Sequence, residues 1–146
     1  MQTYTTKSVA ETQKLAAEIA KTKEALQVIT LTGDLGSGKT TFIQGLAQSL
    51  GIAQRIISPT FIIMRTYNLP KGAGKKKFFY HIDLYRATNI DDVEALGLLE
   101  IIKDPQNIIA IEWPEKIAGH LPKNSLDLTL RYIADEMREI IIKGEQ

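Results

Sequence analysis

Gly33-Asp34-Leu35-Gly36-Ser37-Gly38-Lys39-Thr40 is the stretch that decides the fold of this 146-residue chain. It fits the spacing G-x-x-x-x-G-K-[ST], which builds a loop around nucleotide phosphates. Glycines in such a loop let successive backbone N–H groups turn inward onto an anion. Lys39 adds a full positive charge for the β- and γ-phosphates, and the Thr40 hydroxyl suits Mg²⁺. Working outward, Val28-Ile29-Thr30-Leu31-Thr32 is uncharged and β-branched, the pattern of a buried strand. Thr41 to Leu50 follows with Phe42, Ile43, Leu46, Ala47 and Leu50 on one helical face, and Gly51 as the stop. A helix starting near Thr40 aims its positive end at the same anion. Strand, loop and helix in that order are the context the motif requires. The competing reading is a glycine-rich turn that merely joins two elements, and the Lys-Thr pair argues against it.

Composition narrows the class. Apolar content of 44% and a formal net charge of +1 describe an ordinary globule, not a protein basic over its whole surface. Without cysteine there is no disulfide, thiol nucleophile or thiolate metal site. Met1 to Lys14 lacks an apolar signal core, and no uncharged run nears the roughly 18 residues that span a bilayer. The expectation is one cytosolic domain over residues 1–146, with no membrane contact.

Ser8-Val9-Ala10-Glu11 has capping-box spacing and predicts a helix with Val9, Thr12, Leu15, Ala16 and Ile19 on one side. Phe61 to Tyr67 and Lys77 to Asp83 read as a hairpin around the loop 68–74. Asp91 predicts the cap of a helix to about Ile102, with Val93, Leu96, Leu99 and Ile102 inward. Ile108 to Ile111, Leu126 to Tyr132 and Arg138 to Lys143 read as three more strands. The predicted class is α/β: a P-loop NTPase-like three-layer sandwich whose mixed sheet has a parallel core and antiparallel strands.

Binding phosphate is not hydrolysis, which also needs a carboxylate to orient Mg²⁺ and a group to position the nucleophile. Asp83 and Glu112 each end an apolar strand, where ligands of open α/β sheets sit. Glu112 is the better candidate, since its strand resembles a central parallel one. For either residue alone a solvated carboxylate is an equally ordinary reading. Thr60, in Ser58-Pro59-Thr60, lies where nucleotide hydrolases place a switch, though a plain Ser-Pro turn has the same sequence. Arg55, Arg65, Arg86, Arg131 and Arg138 are candidate charges for a transition state, although most arginines are surface residues. His81 suits packing within its strand as well as catalysis. Lys71 and Lys75-Lys76-Lys77 make a basic hairpin tip, usually a solvated edge. Guanine-specific N-K-x-D and D-x-x-G segments are absent, so ATP is the expected nucleotide.

Four stretches together resemble one family, the bacterial TsaE (YjeE) ATPases. They are Gly33 to Thr41, Ser58-Pro59-Thr60-Phe61, His81-Ile82-Asp83-Leu84-Tyr85-Arg86 and Glu112-Trp113-Pro114. The phosphate loop is common to many families, whereas the H-x-D-L-Y-R and E-W-P segments are far more selective. The resemblance implies an ATPase that works with TsaB and TsaD in the threonylcarbamoyladenosine modification of tRNA, without transferring the group itself and with tRNA contact indirect. It implies that Leu35, Gly36, Ser37, Gly38, Lys39, Thr40 and Thr41 wrap the phosphates of ATP or ADP. It also implies that Thr40 and Glu112 hold Mg²⁺, that Asp83 is needed for hydrolysis and that Thr60 belongs to the switch. Trp113 and Arg138 would line the nucleotide site, Arg138 with the looser alignment. The lysine-rich hairpin looks longer than the family's usual one. Two other classes share the loop: a small-molecule kinase, which should carry an arginine-rich lid, and a nucleotide-gated binding module. Ala87 to Pro105 contains no arginine, which counts against a lid there.

Overall fold

A computed structural model describes residues 1–22, 26–57, 64–71 and 75–144. Strand β1 (Gln2–Thr6) leads to helix α1 (Val9–Thr22), and β2 (Val28–Thr32) to α2 (Lys39–Ser49). Then come β3 (Met64–Asn68), β4 (Phe78–Asp83) and two short helices, α3 (Ile90–Glu94) and α4 (Leu98–Lys103). Strand β5 (Asn107–Glu112), a 3-10 segment at Pro114–His120, β6 (Leu126–Ala134) and β7 (Met137–Lys143) complete the order.

Among the described residues seven strands form one sheet, in the order β1-β7-β6-β2-β5-β4-β3. Strand β2 pairs in parallel with β5 and with β6, and β5 pairs in parallel with β4. The outer pairs β1–β7, β6–β7 and β3–β4 are antiparallel. Every residue of β5 is buried, as a central parallel strand covered on both faces should be.

Alternation along the strands separates two cores. Ile29, Leu31, Phe79, Ile108, Ala110 and Leu128 pack under α1 and α2 against Leu15, Phe42, Ile43 and Leu46. Val28, Ile82, Ile109 and Ile111 face the other way, against Val93, Leu98, Ile102 and Ile117. Helices on both sides of one mixed sheet make the three layers that the sequence predicts. Among the described residues no helix is long and apolar enough to cross a membrane.

Several local expectations need correction. The helix expected from Asp91 to Ile102 is two helices, broken at Gly97, whose φ of +71° is left-handed backbone. Its cap is Asn89 instead of Asp91: the Asn89 side chain accepts from the Asp92 N–H at 3.0 Å. The break turns Leu98 inward and leaves Leu96 exposed. Val9 is also exposed, while Thr12, Leu15, Ala16 and Ile19 are buried as expected. Strand β1 was not foreseen; its polar residues pair with β7 through the backbone. Ser58, Pro59, Thr60 and 61–63 lie outside the described residues, as do 72–74 of the hairpin.

Candidate functional site: the carboxyl edge of the parallel strands

The phosphate loop follows β2 without interruption, so it sits at the carboxyl end of the parallel core. Gly36 and Gly38 have φ of +81° and +100°, left-handed values that disfavour other residues. At Gly33 the need is space: an added Cβ would lie 2.5 Å from the Leu130 carbonyl oxygen and 2.6 Å from Ser37 Oγ. Gly38 caps α2 without any side-chain bond to its first turn. The leading N–H groups of that 11-residue helix are therefore uncapped by side chains, as an anion site requires.

Lys39 is almost fully buried, though its ammonium is polar. Its Nζ donates to the Gly33 carbonyl oxygen and reaches the Asp34 carbonyl oxygen at 3.4 Å. The same nitrogen lies 4.5 Å from the centre of the Trp113 ring, a cation–π distance. Trp113 itself has left-handed backbone (φ 59°) just before Pro114, and its ring leans on Tyr85 with centroids 5.0 Å apart. Main-chain oxygens and an aromatic face thus hold the charge that the motif reserves for phosphate oxygens.

Register brings the two carboxylates beside this lysine. Glu112 pairs with Leu31 of β2 and with Asp83 of β4. In-register side chains of parallel strands face the same way, and Glu112 shares the face of Ile108 and Ala110, beneath α2. Asp83 and His81 share it through Phe79. His81 Nε2 donates to Glu112 Oε2 at 2.6 Å, with both side chains buried. Asp83 accepts from the Tyr85 backbone N–H at 3.0 Å. Burial pushes the Asp83 carboxyl above its ordinary value. The Tyr85 bond opposes that rise, Glu112 adds to it, and His81 and Lys39 pull it back down.

Arg138 crosses from β7 to the loop, with its Cγ and Nε 3.4 Å from where a Gly38 Cβ would be. Its Nη1 donates to the Asp135 and Met137 carbonyl oxygens at 2.7 and 2.9 Å, and its guanidinium carbon lies 4.8 Å from the Tyr132 ring centre. Leu35 is exposed at the loop tip, Ser37 is buried, and Thr40 and Thr41 open α2. The structure therefore gathers residues 35–41, Asp83, Glu112, Trp113 and Arg138 at one edge of the sheet. Thr60 lies outside the described residues. Arg131 pairs with Glu139 at 3.4 Å, and Arg86 is exposed. Arg55 lines a separate cleft of about 280 Å³ with Gln44, Gln48 and Ile56.

Two contacts went unread in the sequence. Tyr85 packs at a tilt against Trp113, and His81 holds Glu112. Neither has a periodic signal, because each joins segments that meet only through the sheet.

The residues fit a nucleotide with its metal. Ser37 Oγ is buried without a hydrogen-bond partner beside the uncapped helix start, a polar group suited to a phosphate oxygen. Among the described residues no three His, Asp or Glu side chains cluster as a protein-only metal cage. Mg²⁺ seldom needs one, since it keeps waters and takes one or two carboxylates plus phosphates.

Residues 6–140 match the family model described as "Threonylcarbamoyl adenosine biosynthesis protein TsaE". The tRNA threonylcarbamoyladenosine biosynthesis protein TsaE of Borreliella burgdorferi is 43% identical over 108 residues, 73% of this chain and 74% of that protein. Its namesake in Bacillus subtilis is 41% identical over 138 residues, covering 92% and 77%. That of Treponema pallidum is 33% identical over 136 residues, covering 93% and 96%. The crystal structure of Bacillus subtilis YdiB superposes with a TM-score of 0.74 at 32% identity, over 98% of this chain and 84% of that one. With the family model spanning nearly its whole length, the chain belongs to the TsaE family.

Proposed function

We propose that this chain binds and hydrolyses Mg-ATP and that, with TsaB and TsaD, its ATP cycle serves the threonylcarbamoyladenosine modification of tRNA next to the anticodon. The observation that carries the ATPase half is the meeting of Lys39, Asp83 and the His81–Glu112 pair at the edge where α2 begins. The pathway half rests on the family and on the names of the relatives.

Each residue has a task. The N–H groups of residues 35–41 and the Ser37 hydroxyl bind phosphate oxygens, while Lys39 leaves its main-chain oxygens for the β- and γ-phosphates. Thr40 and Glu112 would hold Mg²⁺, which would supply positive charge to offset that of the phosphates. Asp83 orients the attacking water, and its raised proton affinity suits a group that receives a proton. Trp113 and Arg138 line the nucleotide, and Thr60 belongs to the switch. The enzyme is a weak ATPase alone and gains rate from its partners; it acts in the cytoplasm.

Phosphate release from Mg-ATP, with this chain alone and with TsaB and TsaD added, tests the assignment. A low rate that climbs with the partners is expected; the same rate in an active, complete mixture overturns the partner role. Lys39→Ala should weaken nucleotide binding roughly 10- to 100-fold, the worth of charge-assisted hydrogen bonds. Asp83→Ala should bind ADP like the parent yet lose about 100-fold or more in turnover. Parent-rate hydrolysis by Asp83→Ala would remove its catalytic role, whereas a variant that no longer hydrolyses ATP yet keeps full function would favour a nucleotide-gated binding module.

A further inference from the structure

Burying His81 with no exposed surface next to a buried glutamate is costly for a protein unless the pair serves a purpose. As core filling, an apolar side chain of similar volume would serve β4 at least as well. Among the described residues the ring makes one polar contact, to Glu112, and its Nδ1 is buried without a hydrogen-bond partner. The contact is short at 2.6 Å and links β4 to β5 across the parallel register. Glu112 has rotatable bonds that burial alone does not fix, so the imidazole N–H selects one carboxylate oxygen and leaves the other for a ligand.

From this geometry we infer that His81 is a positioning residue: it clamps Glu112 Oε2 so that the carboxylate is held ready for the metal of the bound nucleotide. The inference rests on the assignment of Glu112 as a magnesium ligand. His81 itself touches neither nucleotide nor metal. Its effect is to cancel the rotamer entropy that Glu112 would otherwise lose on binding the ion. Outer partners of this kind commonly alter metal affinity about 10- to 100-fold.

The test uses the emission of Trp113, the chain's one tryptophan, which stacks beside Lys39. ADP is titrated first in the presence of a chelator; Mg²⁺ is then titrated into the ADP complex, giving a metal constant independent of turnover. His81→Leu, which keeps bulk and removes the donor, should raise the half-saturating Mg²⁺ concentration at least 10-fold, with metal-free ADP affinity within twofold of the parent. His81→Gln, whose amide nitrogen reaches about where Nε2 lies, should bring the metal constant back to within about threefold. Glu112→Gln should raise it as far as His81→Leu or further, and the double variant should match Glu112→Gln alone.

If Glu112→Gln shifts the metal constant and both His81 variants leave it within twofold, His81 is packing and the inference is overturned while the ATPase assignment stands. If Glu112→Gln leaves it unchanged, the metal role of Glu112 falls and the inference with it. Additive effects in the double variant also overturn the clamp. Should His81→Leu prove too unstable to titrate, His81→Gln against His81→Asn decides. The shorter amide falls short of Oε2, so equal metal constants for the two refute the clamp.

Discussion

Asp83 shows how a single residue carries the tension of the site. Its carboxyl is pushed above the ordinary 3.8 chiefly by burial, with the Glu112 charge adding to the rise. A raised value in the folded state means that the fold prefers the protonated acid. The stability this group lends is therefore complete below the ordinary value and is lost as pH climbs through the raised one. Asp83→Asn, which keeps the shape and cannot ionise, should melt at a higher temperature than the parent near pH 7 without nucleotide. That gain should shrink toward zero below about pH 4, where both proteins carry an uncharged side chain. Melting curves across that range check it, and a gain that grows on acidification contradicts the burial argument. Stability given up at such a position is usual where a group is kept for chemistry. That Asp83 ends a strand was legible in the sequence; that it is half-buried beside Glu112 and Lys39 was not, because those neighbours stand 29 and 44 positions away in the chain.

At the scale of elements, α1 and α2 pack with their backbones in close approach. Gly45 sits on the buried face of α2, and a Cβ there would lie 2.5 Å from both Cα and the carbonyl oxygen of Gln13. Both are backbone atoms, so relief requires the helices to move apart. Gly45→Ala gains about 1 kcal/mol in helix propensity yet should lose more through overpacking, typically 1–3 kcal/mol. Chemical denaturation should therefore find the variant less stable than the parent; a more stable Gly45→Ala would show that the two helices are free to shift. Local signals served best where one element decided its own form. Ser8 Oγ accepts the Glu11 N–H at 3.1 Å, half of the capping box its spacing promised, while Glu11 reaches back one residue further to accept the Lys7 N–H at 2.6 Å. They failed at 91–102, where hydrophobic spacing continues across a left-handed Gly97 that ends the pattern. They failed also at β1, whose Thr and Gln residues offer no apolar face and are held by pairing with β7.

Across the whole molecule, the parallel core separates the basic hairpin from the edge proposed to bind nucleotide. Lys75, Lys76 and Lys77 precede Phe78 at the amino end of β4, while Asp83 closes its carboxyl end. Five strand steps put about 17 Å between those ends, twice the roughly 8 Å over which salt screens exposed charges. Lys75→Glu with Lys77→Glu should therefore leave ADP affinity within twofold at physiological salt, by the same tryptophan titration. A tenfold change would mean that the hairpin reaches the site.

The residues 28–51 determined a great deal unaided: strand, phosphate loop and helix are contiguous, and each is fixed by forces between neighbours. Two aliphatic periods and three glycines suffice to predict them. The same holds for the middle of β5, where Ile108 to Ile111 form an uncharged run with no exposed face. Only the tertiary structure decided which side chains meet at the loop. The parallel register of β4 on β5 sets Asp83 level with Glu112, and the face they share sets His81 against Glu112. The turn after β5 lays Trp113 over Lys39, and the β6–β7 hairpin carries Arg138 to Gly38. Those contacts join residues 29 to 100 positions apart in the chain. They depend on backbone pairing and on burial of two opposite faces, energies that no short window of sequence contains.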